Sequence, residues 1–386
     1  MIITEFCTGC RACEQLCPKH CITLKCDKEG FWVAKINENT CINCGLCQKR
    51  CPQNNTPKKN QPIKVLAVRC KNDKVLKNSS SGGAFFTIAY NVLQENGVVF
   101  GAAYQEDWSV THVAVHTKEE LFKLQGSKYV QSDTLNTFLE VQTLLNNNKK
   151  VLFSGTPCQI GGLQNFLKKD YNNLITIDLI CHGVPSPLLF KKYICWKNKQ
   201  IGDKILRYNF RDKSNGWGLN YRYETKAKIK TKTANLDPYY YHFLKGNTYR
   251  ECCYQCHYCT KERTGDITIG DYWGIEQEHP SFHSSKGVSV MLLNTDKATK
   301  WFKRIEEQFF IQESTFEQAS RHNHNLLFPT KRTSIRDVVY THLNDLNPNI
   351  YFKQILYIPN RKAKILKAMI PNKIKSRLKA MVQWLK

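Results

Sequence analysis

No run of apolar residues in this chain approaches the eighteen or more that a membrane-crossing helix needs, which excludes that class of protein. Acidic residues are scarce: 32 Asp and Glu stand against 57 Lys and Arg in 386 residues, a formal net charge of +25. Such a balance draws a protein toward anionic lipid, polyphosphate or nucleic acid. No recognisable nucleic-acid module accompanies the charge, so no nucleic-acid partner is expected. The opening Met1-Ile2-Ile3-Thr4 has no secretory leader, and Cys7 follows almost at once. The 18 cysteines are therefore expected as reduced thiols in a cytoplasmic protein, not as a disulfide scaffold. The basic excess is uneven. Residues 186–235 hold thirteen Lys or Arg and three acids, and residues 361–386 hold nine and none.

What the chain has in abundance is one cysteine pattern, written twice. Cys7, Cys10, Cys13 and Cys17-Pro18 repeat as Cys41, Cys44, Cys47 and Cys51-Pro52, with gaps of two, two and three residues in each copy. This is the ligand spacing of a bacterial two-cluster ferredoxin. Three closely spaced thiolates reach three corners of a 4Fe–4S cube, and the distal cysteine of the other copy takes the fourth. Cys7, Cys10, Cys13 and Cys51 are thus expected to hold one cluster, and Cys41, Cys44, Cys47 and Cys17 the second. A pair of zinc sites is the alternative, but zinc sites take four local ligands and seldom share them.

The module ends near residue 55, and residues 56–62 read as a polar, proline-containing linker. From residue 63 to 335 the texture is α/β. Strands are expected at 65–68, 98–104, 110–115, 151–154 and 174–180, with helices at 82–96, 134–147 and 161–168 between them. That alternation predicts a mixed or parallel sheet covered on both faces. Beyond residue 200, 207–210 and 220–233 read as antiparallel strands. In Lys226 to Thr233 lysines alternate at period two and share one strand face, as a protected edge strand requires or as a contact face for an acidic partner would. The expected class is therefore α+β and α/β combined: a ferredoxin module, a mixed-sheet α/β domain, which the resemblance described below implies to be a flavoprotein, and a basic helical region over 336–386.

Three segments of the second half carry further chemistry. Cys158 and Cys181 each lie just past the carboxyl end of an expected strand, where open α/β sheets build their sites. Cys252-Cys253-Tyr254-Gln255-Cys256-His257-Tyr258-Cys259 places four cysteines within eight residues. Cys158, Cys181, Cys253 and Cys256 make a third cubane site, with Cys252 or Cys259 as substitutes. The alternative is a pair of buried core cysteines beside a local zinc site at Cys252, Cys256 and Cys259.

The stretches Ser79–Ala84, Gly126–Ser132, Gly155–Gln159, Cys181–Ser186, Cys253–Cys256 and Asp266–Gly274, taken in order, make the chain similar to the family of coenzyme F-420 hydrogenase/dehydrogenase beta subunits, in its bacterial form with an N-terminal ferredoxin. The resemblance spans most of residues 1–330. It implies an oxidoreductase that holds FAD beside an iron–sulfur cluster and exchanges hydride with a diffusible substrate, the deazaflavin in archaeal relatives. Bacterial relatives often lie among surface-polysaccharide genes, which implies a lipid-linked substrate as another candidate. Cys252 and Cys259 depart from the family pattern.

On that reading Ser80, Ser81, Gly82 and Gly83, which precede a helix, let backbone amides approach a phosphate; ordinary capping explains them equally well. Gly126, Ser127 and Lys128 form a turn with one cation for a pyrophosphate or a reduced flavin. Thr156 and Asp271 complete the expected flavin contacts, Asp271 through a ribose hydroxyl or as a turn cap. His182 is the candidate proton donor, with a packed, backbone-bonded histidine as the alternative. Past Pro371, Ile374, Leu378, Met381 and Leu385 form an apolar stripe on a basic helix ending near Trp384, suited to an anionic membrane surface or to docking on protein. The expected partners are a one-electron carrier such as a ferredoxin or flavodoxin and an unidentified hydride donor or acceptor. A peripheral place on the inner face of the cell membrane is open to the tail. The rival function is an electron-transfer adaptor that feeds a partner enzyme.

Overall fold

The computed structural model describes residues 6–369. Among these described residues thirteen strands form three sheets. A hairpin of β1 (Ile22–Cys26) and β2 (Trp32–Ile36) belongs to the cysteine-rich module. The main sheet has eight strands: β3 (Lys64–Cys70), β4 (Val98–Tyr104), β5 (Val110–Val115), β6 (Val151–Gly155), β7 (Leu174–Leu179), β11 (Ile267–Asp271), β12 (Ser289–Leu293) and β13 (Phe309–Ser314). Between β7 and β11 in sequence lies a three-stranded antiparallel sheet of β8 (Arg207–Asn209), β9 (Asn220–Glu224) and β10 (Ile229–Thr233).

The main sheet is mixed, in the order β13-β3-β12-β11-β7-β6-β4-β5. Its four central strands, β11, β7, β6 and β4, are parallel. Antiparallel strands flank them on both sides. β6 and β12 are buried at every position, as strands covered on both faces must be. β4 and β5 form the expected hairpin, Val99 opposite Val115 and Tyr104 opposite Val110. β10 lies at the edge of its sheet with Lys230 and Lys232 exposed, the protected edge that its alternation foretold.

The helix expected at 161–168 begins four residues earlier, as Pro157–Leu167. Thr156 and Gln159 close a capping box around its first turn, and Pro157 sits where its missing N–H costs nothing. The strand expected over 220–233 is two, broken where Thr225 Oγ1 accepts from the amides of Ala227 and Lys228. The long helix Pro187–Ile201, capped by Ser186, had no expected counterpart, nor had β11, β12 and β13.

The cysteine-rich module is docked firmly on the large sheet's domain. Arg11 forms a bidentate pair with Asp133, its Nη2 2.7 Å from Oδ2. Thr134 donates to the Cys10 carbonyl at 3.0 Å, and Arg250 Nε to the Cys7 carbonyl at 2.6 Å. Gln131 Nε2 reaches the Thr8 carbonyl while its Oε1 accepts from Arg250. On the far side Arg336 pairs with Glu29, with Nη1 2.8 Å from Oε1.

Among the described residues no helix is long and apolar enough to cross a membrane. A helix spans Arg361–Met369, where Lys364 Nζ lies 4.8 Å from the centre of the Tyr241 ring. The apolar stripe expected beyond Pro371 lies outside the described residues.

Candidate redox site

The structure assembles fifteen of the eighteen cysteines into three groups. In the first, Cys13 feels the charges of Cys7, Cys10, Cys51 and Cys47. Burial, reinforced by Cys7 and Cys51, pushes the Cys10 thiol up to about 12. Thiols crowded in this way cannot ionise together unless cations compensate them, and the irons of a cluster supply that compensation. In the second group Cys17, Cys41, Cys44 and Cys47 line a cavity of about 300 Å³. Cys44 is exposed, so this group lies at the surface, whereas Cys10 is buried. The pairing of each distal cysteine with the other copy's loop is what the doubled spacing required.

The third group gathers from three parts of the chain. Cys158 is raised by burial and by the charges of Cys256, Cys181 and Cys252. Burial, then Cys256, pushes Cys181 up to about 12. Cys253 feels Cys252, Cys181 and Cys256. Cys252 and Cys259 are buried in the same place, so six thiols meet here. Arg263 stands beside Cys181 and Cys256; its Nη2 donates to Asp178 at 3.0 Å, and its side chain is 1% exposed. A buried guanidinium of that kind offsets the negative charge of a thiolate-ligated cluster. Among the described residues no three His, Cys, Asp or Glu side chains draw in as close as a single ion would hold them.

The helix Pro157–Leu167 links this group to the first. Cys158 lies in its first turn, and Thr156 Oγ1 sits 3.2 Å from the Cys158 sulfur. One turn on, Gly161 and Gly162 leave room for the neighbours: an added Cβ would lie 2.5 Å from the Tyr258 hydroxyl at Gly161, and 2.9 Å from the Cys10 sulfur at Gly162. Tyr258 donates to the Pro52 carbonyl at 3.2 Å and lies between Cys158 and Cys256 on one side and Cys10 and Cys51 on the other. The Gly-Gly pair inside a helix, costly by propensity, was the sequence signal of this close packing. Gly162→Ala is expected to push the Cys10 loop outward, costing about 1–3 kcal/mol by overpacking. A lowered melting temperature together with lost first-cluster absorbance checks it.

The expected flavin segments converge at the carboxyl edge of the parallel strands. Ser80 Oγ accepts from the Ser127 amide at 2.9 Å, which ties the two loops together. Gly82 is needed because a Cβ there would lie 2.3 Å from the Val68 carbonyl; its amide donates to Ser289 Oγ. Ser81 Oγ donates to the Val288 carbonyl at 2.7 Å. Gly83 starts the helix Ala84–Gln94 at φ +83°, and Gly126 turns at φ +84°. Lys128 is not a solvated surface lysine: Nζ donates to the carbonyls of Lys123 at 3.0 Å and Gln125 at 3.1 Å, and burial lowers its pKa to about 7.

Asp271, at the end of β11, accepts two bonds from Arg211, at 2.5 and 2.7 Å, and one from Trp217 Nε1 at 2.9 Å. Trp217 stacks on Trp273 with ring centres 5.1 Å apart. Lys213 donates to the carbonyls of Leu76 at 2.9 Å, Ser81, and Lys286 at 2.6 Å; burial first, and Arg211 with it, lower its pKa to about 7. His182 lies between the third thiol group and this edge, its ring 6.0 Å from that of His324. Burial, with His324 and Arg211 adding, lowers its pKa to about 4, so the imidazole is neutral near pH 7. Arg211, Lys213, Trp217 and Arg263 had not been singled out from sequence.

The chain is similar to known proteins over most of its length. The C-terminal domain described for the coenzyme F420 hydrogenase/dehydrogenase beta subunit matches residues 148–319, and its N-terminal counterpart matches residues 65–138. A 4Fe-4S dicluster domain matches residues 6–55. An uncharacterized protein of Methanocaldococcus jannaschii is 26% identical over 333 residues, covering 78% of this chain and 87% of its own length. One F(420)H(2) dehydrogenase subunit, from Methanosarcina mazei, is 20% identical over 323 residues, covering 80% of this chain and 85% of its own. Among solved structures, a chain of the F420-reducing NiFe hydrogenase complex from Methanosarcina barkeri has a TM-score of 0.45 and 16% identity, covering 66% of this chain and 84% of that one. The chain is an iron–sulfur electron-transfer protein of the oxidoreductase class, and it belongs to the family of coenzyme F420 hydrogenase/dehydrogenase beta subunits, in a form that carries its own 4Fe–4S dicluster domain.

Proposed function

We propose that the chain is a flavin-dependent oxidoreductase that exchanges single electrons with a protein carrier and hydride with a small or lipid-linked substrate. The observation that carries this reading is serial placement. One thiol group of the ferredoxin module reaches the surface at Cys44, the module's other group is buried at Cys10, and a third lies at the sheet edge, the last two joined by the helix Pro157–Leu167. When bound, three 4Fe–4S clusters would supply one-electron transfer and FAD the pairing of electrons that hydride transfer needs.

The chain's own residues have definable tasks. Cys158, Cys181, Cys253 and Cys256 would hold the third cluster with Arg263 as counter-charge. Ser80, Gly126 and Ser127 would approach the flavin phosphates, with Lys128 and Lys213 as the nearby cations. Arg211 and Asp271 hold Trp217 and the β11 end in place. His182, kept neutral by burial, offers a ring N–H at the boundary between the two cofactor positions. A ferredoxin or flavodoxin fits the module's exposed group as electron partner. The basic residues of 361–386 would hold the protein reversibly on an anionic membrane, where lipid-linked intermediates of surface-polysaccharide synthesis are found.

Protein purified without oxygen is expected to contain about twelve irons per chain and one FAD. Iron and flavin assays with the visible spectrum check it. Clusters without flavin overturn the enzyme reading and leave an electron adaptor that feeds a partner.

A further inference from the structure

The second thiol group contains one cysteine more than a 4Fe–4S cluster has irons. Cys21 lines the same cavity as Cys17, Cys41, Cys44 and Cys47. Its sulfur lies 3.3 Å from that of Cys17, and it interacts with Cys41 as well. Neither copy of the doubled pattern provides for it: the position four residues after Cys51 is Asn55. Both Cys17 and Cys21 are buried, at 9% and 6% exposure, so the pair faces inward to the cavity and not to solvent.

A small apolar residue would fill this part of the module's core equally well, since Cys21 packs with Ile22, Leu24 and Ala34. Packing alone, however, does not ask for a sulfur 3.3 Å from the Cys17 sulfur and on the wall of the same cavity. The backbone between the two also permits exchange. Pro18, Lys19 and His20 form an exposed turn, closed by the His20 amide on the Cys17 carbonyl at 3.1 Å. Beyond it Cys21 is anchored to the β1–β2 hairpin through its carbonyl, which accepts from the Asn37 amide at 2.8 Å. A shift of the turn exchanges one sulfur for the other while the hairpin stays in place.

We propose that Cys21 is a reserve ligand of the second cluster, taking the corner held by Cys17 whenever that thiolate is lost. The exchange is a ligand substitution: one iron–sulfur bond breaks at Cys17, another forms at Cys21, the Cys21 proton passes to the departing Cys17 thiolate, and no electron is transferred. The inference rests on reading Cys17 as a ligand of that cluster.

Four variants of the full chain, purified without oxygen, test it by iron content and by electron paramagnetic resonance of oxidised and reduced samples. Cys17→Ala is expected to keep the parent's iron, with a shifted reduced-state signal and no three-iron signal on oxidation. Cys21→Ala alone keeps both iron and signal. Cys17→Ala/Cys21→Ala and the control Cys44→Ala, which has no reserve thiol beside it, each lose up to about four irons or leave a three-iron cluster, while the first-cluster signal persists. A three-iron signal or lost iron in Cys17→Ala overturns the reserve role, as does lost iron in Cys21→Ala. Full iron in Cys44→Ala and in the double variant would instead remove the second cluster from this cavity, a failure of the underlying reading that the control makes visible.

Discussion

Cys158→Ser and Cys181→Ser are each expected to lower the iron content by about four per chain while both ferredoxin-module signals persist. The change is nearly isosteric, so the capping box of Thr156 and Gln159 and the end of β7 keep their geometry. What is removed is a thiolate, and a serine hydroxyl is a poor iron ligand at neutral pH. The ligands expected for the module all come from residues 7–51, and the helix that carries Cys158 meets them where Cys10 packs on Gly162. That contact lies a full turn away and is untouched. Cys252→Ser and Cys259→Ser are expected to keep their iron if the ligand set is Cys158, Cys181, Cys253 and Cys256. Parent-level iron in both Cys158→Ser and Cys181→Ser would show that the six buried thiols hold no third cluster through these two. Loss confined to the Cys252 and Cys259 variants would point to a local site within residues 252–259.

The contrast between what could and could not be read from the chain follows from how far apart the partners lie. A cluster loop takes three ligands from seven consecutive residues, so its chemistry is written in local spacing. The β4–β5 hairpin was legible for a similar reason, because both strands and the turn fall within 98–115 and carry their own hydrophobic pattern. The third thiol group was partly legible: Cys158 and Cys181 stood out only because each follows a parallel strand. The flavin edge was the least visible. Asp271 looked like a turn cap or a ribose acceptor, yet its carboxylate is engaged by Arg211, which lies sixty residues earlier in the chain. Nothing in the composition of residues 207–217 marks Arg211 or Lys213 apart from the other basic residues of that stretch. Arg211 is set apart by burial and Lys213 by the carbonyls that enclose its ammonium, both properties of the segment between β8 and β9 folding back on the large sheet. The same holds for Lys128, ordinary in sequence and unusual only for the two carbonyls that enclose it.

Lys128→Met/Lys213→Met is expected to reduce FAD affinity by at least about tenfold while leaving the iron of all three clusters in place, a loss typical of a charged contact to a buried phosphate. Both ammonium groups are held by backbone carbonyls, and neither has a carboxylate in hydrogen-bonding contact. Burial has lowered both pKa values from 10.5 to about 7. The unfolded chain therefore binds more protons than the flavin-free folded one between about pH 7 and 10.5, and the stability of that form should rise with pH across this window. A pyrophosphate placed beside the lysines favours their charged forms, so FAD binding takes up protons. Its affinity should be highest below pH 7 and fall above it, by up to about tenfold per pH unit for each lysine that the ligand recharges. Fluorescence titration of FAD into flavin-free protein between pH 6 and 9 measures this directly. Methionine keeps the length of the side chain and removes a half-buried charge, so the variant's flavin-free form should melt at or above the parent's temperature at pH 7. That separates lost binding from lost folding. A flat affinity profile with pH, or parent-like affinity in the double variant, would place the phosphates elsewhere on the sheet edge.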